Sequence, residues 1–61
     1  MLLAVGLYDY AAEDEGEVSL AVGEEVEVFP EASQTQAEDG WTKVRKRDGN
    51  EGIVPTNYLE K

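Results

Sequence analysis

The sequence predicts a compact all-β barrel, on three observations. Apolar residues recur with a period of two rather than 3.6. Short runs of that kind are separated by turn residues at close spacing. The 61 residues make one small domain with room for one core.

In Val18-Ser19-Leu20 and Val26-Glu27-Val28 one side chain in two is apolar, so each reads as a short strand. Turn signals lie around them: Gly16, Ala21-Val22-Gly23-Glu24, Pro30, Asp39-Gly40, Asp48-Gly49-Asn50 and Gly52. Residues Glu31 to Gly40 have no apolar period and only alanines among their hydrophobes; they read as a mobile surface loop, with a short helix the weaker reading. Residues 41–46 and 51–54 flank Asp48-Gly49, and because Asp and Gly tolerate the positive φ of a tight turn, this is the best hairpin signal in the chain. Pro55 supplies no ladder donor and should end the strand carrying Ile53 and Val54; Pro55-Thr56-Asn57-Tyr58 has the length of one 3₁₀ turn before Leu59 faces inward again. Val18, Leu20, Val26, Val28, Val44, Val54 and Leu59 are the expected core. With no repeat and no linker, residues 1–61 read as a single domain.

A domain of this size buries only about 60 % of the surface its unfolded chain exposes. At roughly 0.05–0.15 kcal/mol per residue its stability should be on the order of 3–9 kcal/mol. No cysteine is present to staple it, and no histidine to serve as general base or metal ligand. Without those residues, a glycine-rich phosphate loop or a deep pocket, neither catalysis nor a cofactor is expected. Fourteen acids against five bases give a net charge of −9, which repels nucleic acid and anionic lipid and favours basic partners. Lys43, Arg45, Lys46 and Arg47 are the one basic cluster; alternation puts Lys43 and Arg45 on a strand's outer face, where pairing with Glu27 or other strand acids is the ordinary explanation. Met1 to Val5 is too short for a membrane span and lacks a charged leader, so a cytoplasmic location and no membrane insertion are expected. The start at Met1 and the abrupt stop at Lys61 read as a domain cut from something longer.

The chemistry-bearing stretch is Leu7-Tyr8-Asp9-Tyr10 followed by Glu13-Asp14-Glu15-Gly16-Glu17. Flat amphipathic rings suit proline rings and carboxylates suit a Lys or Arg, so the stretch reads as half of a site for a proline-rich, basic peptide. A calcium loop is the rival reading of the acids. The run lacks the alternating Asp/Asn ligands, the placed glycine and the distal Glu that an EF-hand needs, and no metal is expected. The strand residues already supply a core, leaving Tyr8, Tyr10, Trp41 and Tyr58 free for an exposed aromatic site.

Taken in order, Gly6-Leu7-Tyr8-Asp9-Tyr10, the acidic loop, Val18-Ser19-Leu20 with Gly23-Glu24, Asp39-Gly40-Trp41, Gly52 and Pro55-Thr56-Asn57-Tyr58 resemble a Src-homology-3 (SH3) domain over nearly the whole chain. The resemblance implies a strongly bent five-stranded β-barrel whose long RT and n-Src loops bracket an aromatic groove. It implies a non-catalytic, monomeric module that binds proline-rich PxxP segments with a flanking Arg or Lys. By the same resemblance, Tyr8 and Tyr58 match the first proline pocket, and Tyr10, Trp41, Pro55 and Tyr58 the second. Asn57 matches a hydrogen-bonding position beside them; Glu17, with Glu13, Asp14 and Glu15, matches the loop that reads a basic ligand residue.

Three positions depart from the family pattern. Gly6 stands where a small buried alanine is usual, which would remove a core methyl and loosen a strand. Thr42 replaces a second tryptophan, away from the pockets, and Ile53 replaces an aromatic near the first pocket. The segments 39–44 and 51–58 are similar to the SH3 domains that end F-BAR adaptors. That likeness implies recruitment of actin-nucleation promoters or dynamin-type GTPases at cortical actin or endocytic sites through the parent protein. The alternative from another class is a structural or autoinhibitory domain whose aromatic patch packs on a folded surface or on a second copy.

Overall fold

A computed structural model describes residues 2–30, 34 and 40–60. Five strands, β1 (Leu2–Gly6), β2 (Glu25–Val28), β3 (Trp41–Arg45), β4 (Glu51–Pro55) and β5 (Leu59–Glu60), form one antiparallel sheet in the order β4-β3-β2-β1-β5. One 3₁₀ turn, Thr56–Tyr58, precedes β5. The all-β class and the 3₁₀ turn are therefore as the sequence predicts.

Alternation decides which faces turn inward. Ala4, Leu20, Val26, Val28, Val44, Val54 and Leu59 make the buried cluster, with Tyr10, Val18 and Tyr58 packed against it. Val44 and Val54 are wholly buried and face each other diagonally across β3 and β4, where Val44 pairs Gly52 and Thr42 pairs Val54. Thr42 is buried too, and its hydroxyl is satisfied at 2.7 Å by that of Thr56. Val18, expected in the core, stays at its edge.

Strand β1 inverts the usual economy of a small barrel. Its inward positions are Ala4 and Gly6, while Leu2, Leu3 and Val5 are exposed. The reason is close backbone approach. A Cβ at Gly6 would lie 2.4 Å from the carbonyl oxygen of Ala21, and Gly6 exchanges hydrogen bonds with the same turn, Gly6 N donating to Glu24 O and Gly23 N to Gly6 O, each at 2.8 Å. Gly6 thus leaves no vacant methyl site: the backbone of residues 21–24 occupies it, which corrects the expected loosening of this strand.

The segment 18–20 alternates as expected, with Leu20 buried and Ser19 exposed, yet it is not a strand. Leu20 pairs with Tyr10 in one isolated antiparallel bridge, whereas Val18 N donates to Ile53 O on β4. Its partner changes within two residues, so no ladder propagates. The hairpin between β3 and β4 holds its register from Trp41 opposite Pro55 to Arg45 opposite Glu51. Its turn is one residue longer than Asp48-Gly49 suggests: Gly49 N bonds Lys46 O, Lys46 N bonds Asn50 O, and Gly49 alone takes a positive φ, of 96°. Asp48 instead accepts the N–H of Asn50 at 3.0 Å. Of the expected 31–40 loop, all but Gln34 and Gly40 lie outside the described residues, as does Asp39 of the Asp39-Gly40-Trp41 signature.

Arg45, on the outer face of β3, is paired with a strand acid as alternation suggested: it bonds Glu51, opposite it on β4, at 3.0 Å rather than Glu27, opposite it on β2. Lys46, just beyond β3, meets Glu24 at 3.4 Å. Lys43 and Arg45 both lie over the Phe29 ring, 4.9 and 5.5 Å from its centroid.

Candidate functional site

Four rings from distant points of the chain come together. Tyr8 and Tyr10 lie in the long loop after β1, Trp41 opens β3, and Tyr58 ends the 3₁₀ turn. Tyr8 and Tyr58 meet edge to face at 5.4 Å, Tyr58 and Tyr10 at 5.8 Å, and Tyr10 and Trp41 at 6.0 Å. The result is an unbroken row, Tyr8-Tyr58-Tyr10-Trp41, with Tyr8 exposed and the other three half-buried. Pro55 joins it as the cross-strand partner of Trp41, and Asn57 is exposed in the turn that carries Tyr58. The T-shaped contacts, at interplanar angles of 73° to 85°, set each ring edge-on to the next.

The loop that carries the acids is fastened on two sides. Gly52 admits it to β4: a Cβ there would lie 2.6 Å from Gly16 O and 2.8 Å from a Val18 methyl. Ile53 N donates to Gly16 O and Val18 N to Ile53 O, at 2.9 and 3.2 Å. On the other side the turn at 21–24 docks on Gly6. Three carboxylates serve the loop itself: Asp9 accepts the Val22 N–H, Glu24 the Ala21 N–H, and Glu17 the Glu13 N–H. Ser19 Oγ accepts the Ala12 N–H in the same way.

Glu17 also links this loop to the rings. Its Oε1 accepts the Tyr10 hydroxyl at 2.5 Å, a charge-assisted bond. Hydrogen bonding to Tyr10, then to the Glu13 and Asp14 amide region, holds the Glu17 carboxyl below its ordinary 4.5. The same bond, with the partial burial and negative charge around it, pushes the Tyr10 hydroxyl up to about 12. Tyr10 therefore keeps its proton and directs it to Glu17. Glu13, Asp14 and Glu15 are exposed around the loop tip, and among the described residues no hydrogen bond or ion pair uses their carboxylates.

Gly52 is marked in the sequence as a turn signal, but its role as the place where the loop lands on β4 is not, and Gln34 carries no mark at all. The Gln34 amide donates to Phe29 O and Lys43 O and accepts from Lys43 N at 2.6 Å. It bridges Phe29, just past β2, and Lys43 on β3. A polar residue in an aperiodic stretch gives no pattern from which this could be read. A concavity of about 540 Å³ bounded by Leu2, Glu27, Val28, Phe29, Pro30 and Arg45 contains none of the four rings.

No group of three metal-ligating side chains is present among the described residues, and no helix there is long and apolar enough to cross a membrane. A five-stranded sheet with a shallow aromatic row and acids on an adjoining loop defines a protein-interaction module. The chain belongs to the SH3 family: residues 6–60 match the family model described as "Variant SH3 domain". It is 42 % identical over 55 residues to human Cdc42-interacting protein 4, an alignment that covers 90 % of this chain and 8 % of that protein. Among solved structures it resembles the SH3 domain of yeast NBP2, with a TM-score of 0.80 and 29 % identity over 95 % of this chain and 92 % of that one. It also resembles the C-terminal SH3 domain of Myosin IB from Entamoeba histolytica bound to an EhFP10(GEF) peptide, with a TM-score of 0.77 and 29 % identity over 95 % of this chain and 77 % of that one. The chain thus spans a small part of the curated relative and most of each solved domain.

Proposed function

We propose that the aromatic row binds proline-rich segments in the polyproline II conformation that carry a flanking Arg or Lys. The observation that carries this reading is the contiguity of Tyr8, Tyr58, Tyr10 and Trp41 at centroid spacings of 5.4 to 6.0 Å. A polyproline II helix has three residues per turn and exposed carbonyls, so prolines fill the gaps between rings while Trp41 Nε1, Asn57 and the Tyr8 and Tyr58 hydroxyls donate to carbonyls. Tyr8 and Tyr58 line one pocket; Tyr10, Trp41, Pro55 and Tyr58 line the other. The acids Glu13, Asp14, Glu15 and Glu17 receive the cation. The solved relative with a peptide on its SH3 domain supports this use of the fold.

Each filled pocket contributes roughly 1–2 kcal/mol of buried apolar area and an exposed ion pair only ~0.2–1 kcal/mol, modest gains spread over a shallow row. Binding is weak, fast and reversible. The likeness to Cdc42-interacting protein 4 supports a finer assignment to the SH3 domains of F-BAR adaptors, and with it cytoplasmic recruitment of actin-nucleation promoters or dynamin-type GTPases at cortical actin or endocytic sites. The test is titration with a labelled PxxP peptide bearing a flanking Arg, with and without Trp41→Lys. The substitution should abolish binding and leave the thermal transition in place, because Trp41 is half-exposed. Retained affinity in the folded variant, or no binding by the wild type at millimolar peptide, overturns the reading.

A further inference from the structure

Glu17 is held by one carboxylate oxygen and open at the other. Its Oε1 accepts both the Tyr10 hydroxyl at 2.5 Å and the Glu13 N–H at 3.0 Å. A carboxylate oxygen offers two lone pairs, so these two donors occupy it. Among the described residues no hydrogen bond or ion pair engages Oε2. The backbone beneath is fixed as well, since Glu17 N donates to Asp14 O and its neighbours Gly16 and Val18 are bonded to Ile53. Turning both oxygens outward would break both bonds to Oε1.

An Arg guanidinium gains most over a Lys ammonium where its planar fork meets both oxygens of a carboxylate. A single outward oxygen accepts one N–H from either. Resting on the peptide-binding reading above, we propose that Tyr10 is a positioning residue that makes Glu17 a one-oxygen acceptor, so that the groove demands a flanking positive charge without distinguishing Arg from Lys. Glu13, Asp14 and Glu15 add attraction for any cation, but their side chains are untethered and impose no fork geometry.

The test compares three PxxP peptides, identical except for Arg, Lys or Ala at the flanking position, by titration against the wild type, Tyr10→Phe and Glu17→Gln. Phenylalanine keeps the ring that packs on Trp41 and Tyr58, and the Gln amide oxygen still accepts from Tyr10 and Glu13; thermal melts check that each variant folds. In the wild type the Arg and Lys peptides should bind within about threefold of each other and both more tightly than the Ala peptide. In Tyr10→Phe, Oε1 regains a free lone pair and the preference for Arg over Lys should rise by about fivefold or more. Glu17→Gln should bring both cationic peptides close to the Ala control. A wild-type preference for Arg beyond about tenfold, an unchanged ratio in Tyr10→Phe, or unchanged affinities in Glu17→Gln overturns the proposal while leaving the groove reading intact. Failure of all three peptides to bind the folded wild type overturns the groove reading, and this proposal with it.

Discussion

At Gly6 the carbonyl oxygen of Ala21 stands 2.4 Å from where a Cβ would go. Gly6→Ala should therefore destabilise the domain by about 1–3 kcal/mol, through overpacking against an atom that cannot swing aside. Urea denaturation measures it, and an increase in stability would refute the packing argument. Tyr10 and Glu17 were legible as candidates, but the bond between them was not, since nothing in a spacing of seven residues says that the loop doubles back. That bond has a pH signature. The Glu17 carboxyl is depressed in the folded state, so its contribution is present above its unfolded value of 4.5 and is lost as pH falls through the folded one. The Tyr10 hydroxyl is raised from 10.0 to about 12, so its contribution is full below pH 10 and fades as pH climbs towards 12. The stability gap between the wild type and Tyr10→Phe should be flat from about pH 6 to 9 and narrow on both flanks, as read from urea midpoints across pH.

Among the elements, legibility followed locality. The β3–β4 hairpin and the 3₁₀ turn were readable because a short stretch with a turn residue, or a proline followed by three polar or aromatic residues, fixes its own conformation. Gly49 carries the hairpin's left-handed residue at φ 96° with nothing nearby to obstruct a side chain. Gly49→Ala should cost about 1–2 kcal/mol from backbone strain alone, measurable as a lowered urea midpoint at constant slope. Strand β1 was not readable from periodicity, because its large apolar residues point outward and its inward positions are Ala4 and Gly6. Segment 18–20 carried the right alternation and the wrong inference: period two reports which side chains are buried, whereas a strand needs one partner over several residues. The grouping of the four rings into one groove was legible through the family resemblance and not from periodicity. Their contiguity depends on β3 being registered against β4 and on the loop after β1 folding across both, which are long-range facts.

At the scale of the whole molecule, the core is small enough that single truncations matter. Val44→Ala removes two methyls from a wholly buried site and should cost about 2–3 kcal/mol, a large share of a stability on the order of 3–9 kcal/mol. A thermal midpoint within a few degrees of the wild type would show that the core is not organised around Val44. The net charge of −9 acts on the molecule as a whole. Raising ionic strength should slow association with a basic peptide while changing its dissociation rate little, a split that stopped-flow fluorescence of Trp41 can resolve. The long loop after β1 reaches the sheet through two glycine contacts, Gly6 on β1 and Gly52 on β4, and between those anchorages its tip bears the carboxylates of Glu13, Asp14 and Glu15, which no hydrogen bond or ion pair among the described residues engages. The carboxylates of the tip are thereby spared the work of holding the segment together: they can be rewritten, by natural drift or by a protein engineer seeking a new target, without renegotiating the architecture that presents them.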